Sequence, residues 1–106
     1  MRERVIQKAI LDYIHSRKDI YGYRTGVLNV KMRNGRWVST GRPGCPDITV
    51  CINGKYVGLE IKTKTGRQSD NQKVAEQYIK NCGGKYYVVR SLKEAKEVIE
   101  HEQSIC

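Results

Sequence analysis

At 106 residues, 39% of them apolar, the chain is sized for one domain, 1–106, with a modest core, and leaves no room for a second. Twenty Lys and Arg against eleven Asp and Glu give a net charge of +9. That charge points to a polyanionic partner, nucleic acid first, because each cation set beside a phosphate releases condensed counterions. No stretch is apolar for long enough to span a bilayer, and MRERVIQKAILDYI alternates charged and apolar residues where an export signal has a continuous apolar run. A soluble cytoplasmic protein with no membrane partner is expected.

Val5, Ile6, Ala9, Ile10, Tyr13 and Ile14 recur at the spacing of one helical face and predict an amphipathic helix over 2–17. Glu3 precedes Ile6 and Ile10 by three and seven positions, which places it at the end of the apolar stripe. The macrodipole alone also favours an acid in a first helical turn. YGYRTGVLNVKMRNGRWVSTGRPG predicts two strands, 26–32 and 36–40, joined at Asn34-Gly35, a pair suited to a type I′ turn. After a Gly/Pro-rich loop, strands at 47–52 and 55–63 are joined by Asn53-Gly54 with the same turn chemistry. Ser69 to Gln72 has the form of a capping box, and Val74, Ala75, Tyr78, Ile79 and Cys82 continue a helix that Gly83-Gly84 stops. KYYVVRS predicts one more strand. Ser91 to Glu94 is a second capping box, opening a helix with Leu92, Ala95, Val98 and Ile99 inward. The predicted order is α-β-β-β-β-α-β-α, an α/β domain.

Cys45, Cys51, Cys82 and Cys106 include no C-x-x-C pair and no histidines at matching spacing, so reduced thiols are expected instead of a zinc site. The segment from Arg24 to Arg67 holds nine Lys/Arg and only two acids, Asp47 and Glu60. A two-residue Asn53-Gly54 turn makes Val50 meet Val57, Ile48 meet Leu59 and Asp47 meet Glu60, with Cβ atoms about 4.5–5.5 Å apart. Lys62 projects to the same side. Ile48, Val50, Ile52, Val57, Leu59 and Ile61 then form an apolar opposite face for the core. Two like charges facing each other need a cation, which is either Lys62, making a surface ion cluster, or a divalent metal, making a site for phosphodiester hydrolysis. The basic surroundings favour the second.

Pro46-Asp47 followed by Glu60-Ile61-Lys62 at the far end of a hairpin resembles the PD-(D/E)XK nuclease signature. The wider context is Gly41-Arg42-Pro43-Gly44-Cys45-Pro46-Asp47, Gly58-Leu59-Glu60-Ile61-Lys62, Gly66-Arg67-Gln68-Ser69 with Gln72, and Gly83-Gly84. It is similar to the VRR-NUC branch of that superfamily, whose small stand-alone members are typical of phages. The resemblance implies a restriction-endonuclease-like core, a mixed central β-sheet flanked by helices. It implies that Asp47, Glu60 and the Ile61 carbonyl bind Mg²⁺ or Mn²⁺, with Glu3 as a further acid near the metal. Lys62 would act on the attacking water, and Gln72 would join the site beside or in place of its capping role. The resemblance also implies a homodimer.

The function expected is a metal-dependent endonuclease cutting DNA phosphodiesters, selecting branched structures such as four-way junctions or flaps over base sequence. Arg24, Lys31, Arg33, Arg36, Arg42, Lys64 and Arg67 are the candidate phosphate contacts, each equally readable as a solvated surface charge. Trp37 is read either as a stacking residue or as part of the core. The competing readings are a non-catalytic nucleic-acid-binding module on a nuclease-like fold and a sequence-specific restriction-type enzyme.

Overall fold

A computed structural model describes residues 2–26 and 28–105. Nine elements follow one another as α1 (Glu3–Ser16), β1 (Tyr21–Arg24), β2 (Leu28–Lys31), β3 (Trp37–Thr40), β4 (Ile48–Ile52), β5 (Lys55–Ile61), α2 (Asp70–Asn81), β6 (Lys85–Val89) and α3 (Leu92–Ser104). The main sheet runs β1-β4-β5-β6, while β2 and β3 pair only with each other in a separate antiparallel hairpin. β1 and β5 lie antiparallel to β4, and β6 runs parallel to β5, so the central sheet is mixed. No described helix is long and apolar enough to cross a membrane.

β1 is one strand more than the sequence pattern predicts. YGYR is short, and its second residue is a glycine, which gives no strand periodicity to read. The glycine has a packing reason: a Cβ on Gly22 would lie 2.9 Å from Ile14 Cγ2 and 3.0 Å from the Thr49 carbonyl oxygen. α1 therefore rests on β1 at a distance no larger residue permits. The β2–β3 hairpin, an arm apart from the main sheet, also corrects the expected 26–32 strand, which begins at Leu28, with position 27 outside the described residues. At its tip, Gly35 has φ of 85°, but Asn34 is not in the left-handed region. Met32 N–H donates to the Arg36 carbonyl, and the Asn34 carboxamide oxygen accepts from Arg36 N–H. This loop is longer than the two-residue turn expected there. At Asn53-Gly54 both residues take positive φ, 52° and 78°, which makes the tight type I′ turn.

The core lies on one face of the main sheet, under α1 and α3. Ile6, Ile10 and Ile14 of α1 meet Ile48, Val50, Ile52, Val57, Leu59 and Ile61, closed by Ala95 and Ile99 of α3. α2 lies on the other face against β6 and has no fully buried residue. Its capping box is complete. At α3 the Ser91 hydroxyl accepts from Glu94 N–H, but the Glu94 carboxylate accepts from Arg90 N–H in place of Ser91, so the second capping box is displaced by one residue.

Glu102 of α3 is fully buried on the core face. Its carboxylate accepts from Lys55 Nζ at 2.8 Å and from the Tyr87 hydroxyl, and Lys55 also donates to the Glu102 carbonyl at 3.1 Å. Burial pushes the carboxyl pKa up, but the bonds from Lys55 and Tyr87 outweigh it and hold the group below its ordinary range. The stability this supplies is present above the ordinary carboxylate pKa and is lost as pH falls through the lowered one. Glu102→Ala should cost about 3 kcal/mol in urea unfolding at pH 7, the low end for breaking a buried pair because Lys55 keeps some solvent. A loss under 1 kcal/mol would show that the triad contributes little.

Candidate active site

The β4–β5 ladder pairs Ile52 with Lys55, Val50 with Val57 and Ile48 with Leu59. One further step along that register brings Asp47 across from Glu60. Glu60 keeps 2% of its surface exposed, because α2 and Tyr86 cover its face of the sheet, so it is no solvated surface charge. Lys62 Nζ lies 3.7 Å from Glu60 Oε2 and is itself mostly covered.

Backbone bonds hold Asp47 in place. Its carbonyl accepts from the N–H groups of Thr25 and Gly26 at 2.8 and 3.3 Å, and its Oδ2 accepts from Ile61 N–H at 2.9 Å. The Thr25 hydroxyl donates to the Pro46 carbonyl at 2.8 Å. The end of β1, unseen in the sequence pattern, is thus the clamp on the GRPGCPD loop. Two glycines let that loop approach. A Cβ on Gly58 would lie 2.7 Å from Pro46 Cγ, and one on Gly44 would lie 2.1 Å from the Asn71 carbonyl oxygen. Pro46 therefore sits directly on β5, and Asp47 follows at the height of Glu60.

Gln72 serves two partners. Its backbone N–H donates to Ser69 Oγ and its Oε1 accepts from Ser69 N–H, closing the capping box, while Nε2 donates to Glu60 Oε2 at 2.9 Å. The Tyr86 hydroxyl lies 3.5 Å from Glu60 Oε1, a long contact that fills the last side of the carboxyl. Burial pushes the Tyr86 hydroxyl pKa upward, and the Glu60 charge adds to it. The segment after Lys62 is fixed by Arg90, whose guanidinium donates to the Thr63 carbonyl at 2.6 Å and the Gly66 carbonyl at 2.8 Å. Nothing in the sequence pattern singles out Tyr86 or Arg90, since their partners lie more than twenty positions away.

Desolvation first and then the adjacent Asp47 carboxylate raise the Glu60 pKa, and with Lys62 offsetting only part of this it stands at about 8. Glu3 lies exposed on the first turn of α1, and its charge is the weakest of the influences on Glu60. Among the described residues, no cluster of three His, Cys, Asp or Glu side chains assembles into a metal site. Asp47, partly exposed, and the buried Glu60 still supply hard oxygen donors in a spot short of positive charge, and that donor chemistry fits Mg²⁺ or Mn²⁺.

The candidate phosphate contacts divide by location. Lys64 and Arg67 are exposed on the loop after Lys62, and Arg42 is exposed on the loop before Asp47. Arg24 ends β1, on the strand face that packs against α1. Lys31, Arg33 and Arg36 lie on the β2–β3 arm, apart from the main sheet, with Lys31 over the Trp37 ring. Trp37 is 63% exposed and takes no part in the core, which removes one of its two expected roles. Cys45, Cys51 and Cys82 are free thiols, and Cys106 lies outside the described residues.

Among solved structures, the chain is similar to one described as a VRR_NUC domain, with a TM-score of 0.60 and 24% identity over 93% of this chain and 95% of that one. No family model and no curated protein matches the chain. The likeness shows the fold: a restriction-endonuclease-like core over nearly the whole length.

A raised carboxyl pKa means that the folded state holds a proton the unfolded chain releases, so stability falls as pH rises from about 4.5 to about 8. Glu60→Gln removes this titration, and its carboxamide can donate to Asp47. In EDTA its Tm should exceed that of the unsubstituted protein by several degrees at pH 8, since each kcal/mol moves a domain of this size by about 4–8 °C. The gap should close toward pH 4.5. A variant no more stable at pH 8 would show that Glu60 carries no such strain.

Proposed function

We propose that the protein is a metal-dependent endonuclease of the VRR-NUC kind that hydrolyses DNA phosphodiesters and selects branched or otherwise structured substrates. The observation that carries this reading is the facing Asp47–Glu60 pair, with Glu60 buried and Lys62 3.7 Å from it, in a chain of net charge +9. A protein that only bound phosphate would gain nothing from two carboxylates there, whereas a hydrolase needs them. The likeness to a VRR_NUC domain supports the same reading at the level of the fold.

On this reading Asp47, Glu60 and the Ile61 carbonyl hold Mg²⁺ or Mn²⁺. When bound, the cation polarises the scissile phosphate and neutralises charge that develops on it. Gln72 keeps the Glu60 oxygens aimed into the site through its Nε2 bond, and the Ile61 N–H does the same for Asp47. Lys62 stands beside Glu60, where its ammonium orients the attacking water and stabilises the charge that builds up as the phosphate is attacked. Lys64 and Arg67, on the loop that Arg90 fixes, meet the flanking phosphates, and DNA is the partner.

The test is cleavage of labelled four-way junction, flap and linear duplex DNA in Mg²⁺, in Mn²⁺ and in EDTA. Cutting should require a divalent cation, favour the junction or flap, and fall about 100-fold or more in Lys62→Ala and Glu60→Ala. Binding without cutting in every condition would make the protein a nucleic-acid-binding module instead. Gly58→Ala touches no reacting group but displaces Pro46, and with it Asp47. It should lower cleavage at least about tenfold while the protein remains folded, because a shift near 1 Å in a catalytic group costs that much or more. Unchanged cleavage would show that Asp47 does not depend on this approach.

A further inference from the structure

α2 covers only part of the sheet face that carries Asp47 and Glu60. In the register, Tyr21, Cys51 and Tyr56 form one row across β1, β4 and β5, followed by Tyr23, Thr49 and Gly58, and the acids come next. Tyr86 is buried under α2, whereas Tyr21, Tyr23 and Tyr56 remain open, the first of them 72% exposed. Between this open face and α2 runs a groove of about 360 Å³, lined by Arg42, Pro46, Tyr56, Tyr78 and Ile79 among others. That volume lies at the small end of ligand-sized pockets.

Two tyrosine rings and one guanidinium are among the groups that line the groove. Tyr56 forms one wall, its ring beside Gly84, where a Cβ would lie 3.3 Å from the ring, and its hydroxyl accepts from Thr49 Oγ1 at 3.2 Å. Tyr78 projects from α2, 58% exposed, with the Arg42 guanidinium 5.4 Å from its ring centre. None of the residues lining the groove is acidic. Its Pro46 edge is one residue from Asp47, and Tyr56 is four residues from Glu60 along β5, about 13 Å at the rise of a strand.

Resting on the nuclease reading, we propose that this groove receives an unpaired base of the strand whose backbone reaches Asp47 and Glu60. The base packs on Tyr56 and Tyr78, and Arg42 meets an adjoining phosphate. Charge selects this occupant: a second copy of the chain would bring another +9 and a second Arg42 to the same place, whereas a nucleic-acid strand brings phosphates and flat apolar faces together. A duplex offers no free base face along its length. The groove would thus make an unpaired segment beside the cut the feature that the enzyme recognises.

The test is fluorescence anisotropy in EDTA with labelled oligothymidine, a strand of the same length and charge made of abasic sites, and a blunt duplex. Oligothymidine should bind roughly tenfold more tightly than the abasic strand, the worth of stacking a base on an aromatic side chain. Tyr78→Leu should remove that difference and leave the abasic and duplex affinities unchanged, and Tyr56→Leu should act in the same direction. Equal binding of base-bearing and abasic strands, or an unaltered preference in Tyr78→Leu, would overturn the proposal. So would a dimer in sedimentation that Tyr78→Leu dissociates, since the groove would then be a contact between copies. Metal-dependent cleavage without any base preference would remove the groove and keep the nuclease; a base preference without cleavage would keep the groove and remove the nuclease.

Discussion

The type I′ turn at Asn53-Gly54 allows β4 and β5 to pair in one register, and a slip of one residue would invert both strands. In the observed register six branched aliphatic residues face α1 and α3. The alternate positions, Asp47, Thr49, Cys51, Tyr56, Gly58 and Glu60, face the other way. The hydrophobic core and the carboxylate pair are therefore two consequences of a single pairing. The core enforces the register, because exposing that apolar row would cost far more than separating two like charges would recover.

Charge and packing on the second face depend on what the first face fixes. Glu60 cannot move away from Asp47 without dragging Leu59 and Ile61 out of the core. Asp47 is tied by Thr25, Gly26 and Ile61, so the two carboxylates are held together by backbone that neither controls. α2 adds Gln72 from above, and Arg90 fixes the loop that leaves Lys62. Preorganisation of this kind lets a small domain hold a strained site: both carboxylates are aimed by hydrogen bonds to elements already committed to the fold.

Much of this was legible in the sequence, and the rest was hidden for identifiable reasons. Asn53-Gly54 and the flanking alternation are local signals, so the hairpin, its register and the facing of Asp47 and Glu60 follow from counting residues. The helices follow from apolar spacing and from Ser69 and Ser91 as caps. β1 gave no such signal, since four residues with a glycine among them have no readable period. The choice of glycine at position 22 becomes intelligible only beside Ile14. Arg90 and Tyr86 were hidden because their roles depend on partners 24 and 26 positions away. Glu102 was hidden for the same reason: on an α3 read only by its apolar stripe, a charged residue at an inward position looks like an exception until Lys55 and Tyr87 are seen to meet it.

Glu102 and Glu60 are two buried carboxyls in one small domain, and they differ in what surrounds them. Glu102 faces a lysine at 2.8 Å and a tyrosine hydroxyl, and its pKa is lowered. Glu60 faces another carboxylate, with its nearest lysine at 3.7 Å, and its pKa is raised. Burial opposes ionisation at both, so depth does not separate them; the sign of the neighbouring charge does. A fold that satisfies a buried acid fully at one end of its sheet is capable of doing so at the other. Glu60 is left short of positive charge, and the firmly paired Glu102 stabilises the scaffold that holds Glu60 against Asp47.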